Sequence, residues 1–363
     1  MSAVHTFRLD LTWDLLQAIS RVDRFAGEWA GIERREGRSL KHLKSIATIQ
    51  SVGASTRIEG SRLDDAAVDA LLAQLDITKL EDRDQQEVAG YFEALDTLSE
   101  AYADIRIGES ELKHLHKLTL QYSTKDAWHR GGYKQRSNAV EATLPDGSRT
   151  VVFTTTPPGV ETEDAMRALV AWYGKGDAVH PLVRVAAFCY EFVTIHPFQD
   201  GNGRLSRLLA TLLLLQQGYP WVQYVSFEHE IERRKQEYYR VLRTCQANRP
   251  GEDIGPWLHF FLDCLVVMME KLRAKLEAKG AITDLNERQR NILRYVQAHA
   301  GAQAGGIAKA LGIPLPTVKK DLETMVAAEV LVREGGGAGD ALYRALSHAR
   351  GERHVQVRSL PPE

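Results

Sequence analysis

Apolar residues recur three and four positions apart through Leu15, Ile19, Val22 and Phe25, and again through Leu40, Leu43, Ile46 and Ile49. That period belongs to amphipathic helix, and it runs across residues 11–80. Helices are expected again over residues 82–98, 109–120, 164–173 and 181–194, and the apolar run 208–215 continues a helix that opens on a glycine-bearing loop. Gly218-Tyr-Pro220 breaks the chain, after which residues 227–247 read as one helix and residues 257–276 as an apolar one. Residues 131–156 differ in texture. Alternation around Val151 and Phe153, with Asp146-Gly147 as a tight turn, predicts a β-hairpin that ends at Pro157-Pro158.

Beyond residue 286 the pattern changes again. Helices are expected over 287–298, 306–311 and 316–328, and short strands over 330–332 and 341–343 flank a glycine-rich tip at Gly335 to Gly339. Helix, helix, turn, helix and hairpin make the layout of a winged helix-turn-helix. The expected class is therefore mainly α, with one hairpin in the helical part and a winged helix-turn-helix domain at the end. The corresponding division is 1–105, an N-terminal helical region; 106–280, a central domain; 281–346, the winged helix; and 347–363, a polar tail expected to be disordered.

Composition narrows the class. A chain of 363 residues, 44% hydrophobic and 26% charged, has the balance of an ordinary globular protein, and a net charge of −2 gives no global pull toward nucleic acid or anionic membrane. Cys189, Cys245 and Cys264 are odd in number and sit in apolar surroundings, as reduced core thiols do. The start lacks a secretory pattern, and the runs 208–215 and 262–269 are too short to span a bilayer. A cytoplasmic protein that does not enter the membrane is expected.

The chemistry is concentrated in Ile195-His-Pro-Phe-Gln-Asp-Gly-Asn-Gly-Arg-Leu-Ser-Arg207. Gly201 and Gly203 permit positive φ and close approach of a ligand, so the peptide N–H groups around Asn202 can form an anion nest at a helix N-terminus. Arg204 and Arg207 project three residues apart and can grip further phosphate oxygens. Asp200 offers an oxygen ligand of the type Mg²⁺ takes beside a nucleotide. His196 is a usable base near neutral pH. The combination points to phosphoryl or nucleotidyl transfer. It is not a P-loop, since no Gly-Lys-Ser/Thr follows the glycines.

Residues 196–207 resemble, position for position, the His-Pro-Phe-x-Asp-Gly-Asn-Gly-Arg-x-x-Arg signature of the Fic family. The resemblance implies a Fic-fold helical core and transfer of AMP from ATP to a Ser, Thr or Tyr hydroxyl of a target protein. His196 would take the hydroxyl proton and Asp200 would hold Mg²⁺. Gly201, Asn202 and Gly203 would receive the phosphates, while Arg204 and Arg207 hold their β and γ positions. The hairpin is similar to the family's flap, which takes the target by strand addition.

Ser55-Thr-Arg-Ile-Glu59-Gly60 alone reads as a helix closed by a glycine cap. Beside the signature it resembles the family's inhibitory helix, placed N-terminal to the core, with Ser55, Glu59 and Gly60 as its fixed residues. By that likeness Glu59 pairs with Arg207 and keeps the γ-phosphate out of its productive position. The Tyr238-Tyr239 pair resembles the nucleotide-side helix, with Tyr239 able to stack on adenine or to serve the core. His116 reads as structural. Departures from the family are Gly90 and Gln246, where Asn is usual, and Cys189 and Val193, where His and Glu are frequent.

Two alternatives stand beside AMP transfer. The same site could remove AMP, or move another phosphate-bearing group, with Glu59 placing the attacking water. Or the chain could be a DNA-binding regulator that uses the Fic fold as a nucleotide sensor, with Thr317, Lys319 and Lys320 on the recognition helix. Eight basic against seven acidic residues over 281–346 give that domain a net charge of only +1, short of a basic footprint. A homodimer is a further candidate assembly.

Overall fold

The computed structural model describes residues 8–80, 82–143, 149–175, 179–283, 285–328, 330–334 and 341–345. Its contacts divide the chain into two compact units, Met1–Glu270 and Lys271–Glu363. The first unit opens with α1 (Trp13–Ile58), started by Thr12, whose hydroxyl accepts the Leu15 N–H at 3.3 Å. Leu15, Ile19, Val22, Phe25 and Trp29 form its buried stripe. The helix stops where Gly60 takes φ 109°. There the Gly60 N–H bonds the Arg57 carbonyl at 3.0 Å and the Ser61 N–H the Thr56 carbonyl at 3.1 Å, a left-handed glycine cap that fixes Glu59 on the final turn.

Then come α2 (Asp65–Ala73), α3 (Arg83–Ala101) and α4 (Glu109–Thr119). Asp64 and Asp82 cap α2 and α3 by accepting the Ala67 and Gln85 N–H groups. Gly90, one of the departures from the family pattern, has a local reason. A Cβ there would lie 2.4 Å from the Thr119 carbonyl oxygen, so α3 passes the end of α4 at a distance no side chain allows.

β1 (Ala139–Thr143) and β2 (Arg149–Thr154) form the hairpin, antiparallel with a bulge between Val140 and Glu141. The expected turn at Asp146-Gly147 lies outside the described residues, and among the described residues the two strands pair only with each other. After α5 (Val160–Gly174), the chain forms α6 (Pro181–Ile195) and α7 (Asn202–Gln216), which pack together and are buried on almost every side. Cys189 and Val193, on α6, are part of that apolar packing.

A 3₁₀ turn at Pro220–Tyr224 leads to α8 (Phe227–Arg233), α9 (Lys235–Gln246) and α10 (Gly255–Thr283). The single helix expected over 227–247 is therefore two. Arg234 leaves helical geometry at φ −114°, ψ 27°, and its N–H bonds back to Ile231 at 3.1 Å. The pieces serve different neighbours: Phe227 packs on Phe261, and Tyr238 on Trp257 and Phe260. Cys189, Cys245 and Cys264 are buried free thiols.

In the second unit α11 (Glu287–Ala298), α12 (Ala304–Leu311) and α13 (Leu315–Ala327) enclose a core of Ile292, Val296, Ile307, Val318, Leu322 and Met325. Asn286 and Gln289 close a reciprocal capping box at the head of α11. β4 (Leu331–Glu334) and β5 (Leu342–Ala345) form the wing, and a two-residue strand, β3 (Ala302–Gln303), joins them in the order β3-β5-β4. β3 is too short to carry a period and was invisible in the sequence. The glycine-rich tip and the tail from residue 346 onward lie outside the described residues. Among those described, no helix is long and apolar enough to cross a membrane.

Candidate active site

The site is the loop between α6 and α7. His196 closes α6 at φ 56°, ψ 58°, and among the described residues it is the one non-glycine with positive φ. Its N–H bonds the Phe192 carbonyl at 3.0 Å, and its Nδ1 lies 3.2 Å from the Val193 carbonyl. A carbonyl only accepts, so Nδ1 carries the proton and the lone pair sits on Nε2. Burial, with the charge of Lys134, draws the imidazole pKa down to about 4, against the opposing influence of Glu59 and Asp200. The ring is unprotonated at neutral pH.

Two side chains hold the loop. Asn202 accepts the Phe198 N–H at 2.9 Å and returns its amide to the Phe198 carbonyl at 2.8 Å. Its side chain is thus committed to the loop, leaving its peptide N–H for a ligand. His116 braces the other side: the Gly131 N–H donates to Nδ1, and Nε2–H then donates to the Asp200 carbonyl, each at 2.9 Å. The ring also stacks on Phe198 at 3.8 Å. Burial lowers its pKa to about 4, so this tautomer persists. Behind it His129 bonds Asp126 at 3.1 Å, and Ser123 donates to the same carboxylate at 2.6 Å, a buried cluster the sequence reading missed.

Gly201, at φ 79°, heads α7, whose first-turn N–H groups have no upstream carbonyl and whose dipole is positive here. Asp200 accepts the Gly201 N–H at 2.6 Å. Burial would raise its pKa, but Arg204 and that hydrogen bond hold it below the usual carboxylate range. The carboxylate is 39% exposed, so an ionised oxygen is open to a cation. That suits Mg²⁺ carried by a nucleotide, which needs only one or two protein carboxylates. Among the described residues there is no group of three or more His, Cys, Asp or Glu able to hold a metal by themselves.

Arg204 is fully buried between Glu87, 3.4 Å from Nη1, and Asp200, 3.5 Å from Nη2. Its Nε and Nη1 make no hydrogen bond, leaving donors unengaged beside the loop. Arg207, 2% exposed, is held to the end of α1 by three hydrogen bonds. Nε donates to the Ser55 hydroxyl at 2.9 Å, and Nη2 to the Ser55 carbonyl at 3.0 Å and to Glu59 Oε1 at 2.8 Å. Burial alone would raise the Glu59 pKa; Arg207 and Arg204 outweigh it and keep the carboxylate ionised. A Cβ on Gly203 would lie 2.5 Å from Glu59 Oε1. An anion from the end of α1 therefore already rests on the glycine loop and its arginine.

The last turn of α1 is fixed independently. Arg57 makes a two-pronged bond to Glu232, at 2.6 and 3.0 Å, and pairs with Asp65 at 2.9 Å, while Lys235 reaches the Ile58 carbonyl at 2.6 Å. Of the tyrosine pair, Tyr238 belongs to the core. Tyr239 is half-buried and packs edge-on against Tyr238 at 5.1 Å, and burial and then the Glu59 charge raise its pKa. Gln246 donates to the Thr194 hydroxyl at 3.0 Å, a buried structural bond.

The Fic/DOC family model matches residues 106–214, which hold this whole loop, and a family described as winged helix-turn-helix DNA-binding matches residues 285–332. This chain carries a Fic domain. Proteins named "Protein adenylyltransferase Fic" from Drosophila mojavensis and Culex quinquefasciatus are 25% and 26% identical over 271 and 262 residues, 73% and 71% of this chain. The chain spans about half of their lengths, 49% and 45%. A Fic family protein from Desulfovibrio desulfuricans G20 aligns with a TM-score of 0.62 at 22% identity, over 96% of this chain and all of that one. A Fic domain containing signaling protein from Bacteroides thetaiotaomicron gives 0.56 at 24%, over 69% and 94%. Both likenesses show the fold: a Fic core followed, in this chain, by a winged helix.

Proposed function

We propose that this protein transfers AMP from ATP to a Ser, Thr or Tyr hydroxyl of a target protein and that Glu59 restrains it. The observation that carries the reading is the His196 to Arg207 loop, an unprotonated imidazole four residues from an open carboxylate at the head of a helix that presents free N–H groups and two arginines. The hydroxyl gives its proton to His196 Nε2 as its oxygen bonds to the α-phosphorus, and the bond to pyrophosphate breaks. The N–H groups of Asn202 and Gly203, with Arg204 and Arg207, orient the phosphates. Asp200 would hold Mg²⁺, whose charge offsets that of the phosphates when it is bound. Tyr239 borders the nucleotide side. Naming of the relatives as adenylyltransferases supports nucleotidyl over phosphoryl transfer.

Glu59 sits where a terminal phosphate would meet Arg207, and the two anions compete for the same N–H donor of that guanidinium. ATP then binds without its γ-phosphate in place, and transfer is slow. Substituting His196 by Ala tests the base: transfer should fall by at least about 100-fold with the fold intact. Undiminished transfer would remove His196 from the reaction.

Removal of AMP is a second reading, favoured by one feature: Glu59 is ionised and its side chain 29% exposed, so it can order a water beside Gly203. Release of AMP from a modified protein, lost on substituting Glu59, would mark it. For the winged helix we propose DNA as a partner through exposed Lys319 and Lys320 on α13. A steep fall in affinity with rising salt is then expected, and binding indifferent to salt would oppose phosphate contact.

A further inference from the structure

Lys134 is a buried charge that the transfer reaction leaves unexplained. It is 2% exposed, and its ammonium donates to Asn138 Oδ1 at 3.0 Å, the Thr155 hydroxyl at 2.8 Å and the Ile195 carbonyl at 3.3 Å. All three are neutral acceptors. Burying an ammonium without a carboxylate is costly, and burial lowers its pKa to about 8.

The position of those acceptors supplies a reason. Asn138 directly precedes β1 and Thr155 directly follows β2, so both ends of the hairpin meet at one nitrogen. The Thr155 hydroxyl lies 2.6 Å from Asn138 Oδ1 and ties the two ends together. Ile195 is the last residue of α6 and the neighbour of His196, at the helix end where a cation is favoured. The same stretch makes further bonds to the loop. The Lys134 N–H reaches the Pro197 carbonyl at 2.8 Å, the Asn138 amide the Phe198 carbonyl at 2.9 Å, and the Arg136 N–H the Gln199 side chain at 3.3 Å.

We propose that Lys134 is a positioning residue that locks the base of the hairpin to the backbone of His196, so that a target segment lying along the hairpin is held in register with the base. The inference rests on the reading above, in which His196 is the base and the hairpin receives the target. A hydrophobic residue could fill the volume of Lys134, but it could not join two strand ends and a helix terminus through three acceptors at once. The charge has a second consequence at His196. Lys134 disfavours the protonated imidazole, while Glu59 from α1 and Asp200 from the loop favour it.

The test uses the full chain with Lys134→Met and, separately, Thr155→Val. Two readouts need no transfer: titration of the His196 imidazole by NMR, assigned against His196→Ala, and backbone amide exchange of β1 and β2. Lys134→Met should raise the His196 midpoint above about 4 and speed hairpin exchange roughly tenfold. Thr155→Val, which keeps the charge, should speed hairpin exchange and leave the midpoint where it is. An unchanged midpoint together with unchanged exchange in Lys134→Met overturns the proposal. Should that variant not fold, unchanged hairpin exchange in Thr155→Val overturns it instead. Where transfer is measured, kcat should fall at least tenfold with KM for ATP unaltered. Failure of the wild type to label any protein counts against AMP transfer, while the two solution readouts still decide the role of Lys134.

Discussion

Replacing Glu59 by Gly should raise activity and lower stability together. Glu59 accepts one hydrogen bond from Arg207 at 2.8 Å, and Ser55 retains the other two. A hydrogen bond to a charged group contributes about 1.5–3 kcal/mol net, and each 1.4 kcal/mol is about tenfold. Removing the competing carboxylate should therefore raise the fraction of sites open to a correctly seated triphosphate by about 10- to 100-fold. The same change leaves the buried Arg207 without its counter-charge, at a cost of about 1–3 kcal/mol, so Tm should drop. Glu59→Gln, which keeps an acceptor without the charge, should lie between. The assay is incorporation of label from ATP into protein in a cell lysate, alongside thermal unfolding of each variant. Transfer unchanged within a factor of about two, despite ATP binding, would refute the competition between Glu59 and phosphate for Arg207.

Other outcomes follow from the packing around the loop. Gly90→Ala sets a Cβ 2.4 Å from the Thr119 carbonyl and should cost about 1–3 kcal/mol in denaturant unfolding, since backbone must shift; a neutral effect would show that α3 and α4 part easily. His116→Leu removes both bridges from the ring to Gly131 and Asp200, and should weaken Mg²⁺-ATP binding measured by calorimetry at least about tenfold while α-helical circular dichroism persists. Acid should destabilise the protein in a defined window. His116 and His196 fall from 6.5 to about 4 on folding, so the unfolded chain binds protons first. The stability from burying them neutral is complete above pH 6.5 and is lost as pH falls toward 4, which unfolding at graded pH measures, and His116→Leu should flatten that slope.

Much of this site is local, and local features are legible in sequence. The glycines that set the loop and the arginines on the first turn of α7 act within a few residues of one another, and the glycine cap that ends α1 beside Glu59 is likewise set by its own few residues. The pairing of Glu59 with Arg207 spans 148 positions and was reached through resemblance, because no spacing rule connects the two. What escaped the sequence depends on tertiary contact. Nothing in the local sequence marks Lys134 for burial, which is set by hairpin ends 17 residues apart in the chain. Ser123, Asp126 and His129 carry no spacing that marks a cluster. The break at Arg234 has neither Gly nor Pro, since it arises from α8 and α9 packing against different aromatic residues of α10.

The most direct measurement is a pair of incubations of Glu59→Gly with Mg²⁺ and cell lysate, one with ATP labelled on the α-phosphorus and one with ATP labelled on the γ-phosphorus. Relative to lysate alone, added protein-bound label should come from the first and none from the second, with His196→Ala in the same background adding neither. Label from the γ-phosphorus would replace AMP transfer with phosphoryl transfer, and no label from either, with ATP bound, would leave the site without transferase activity.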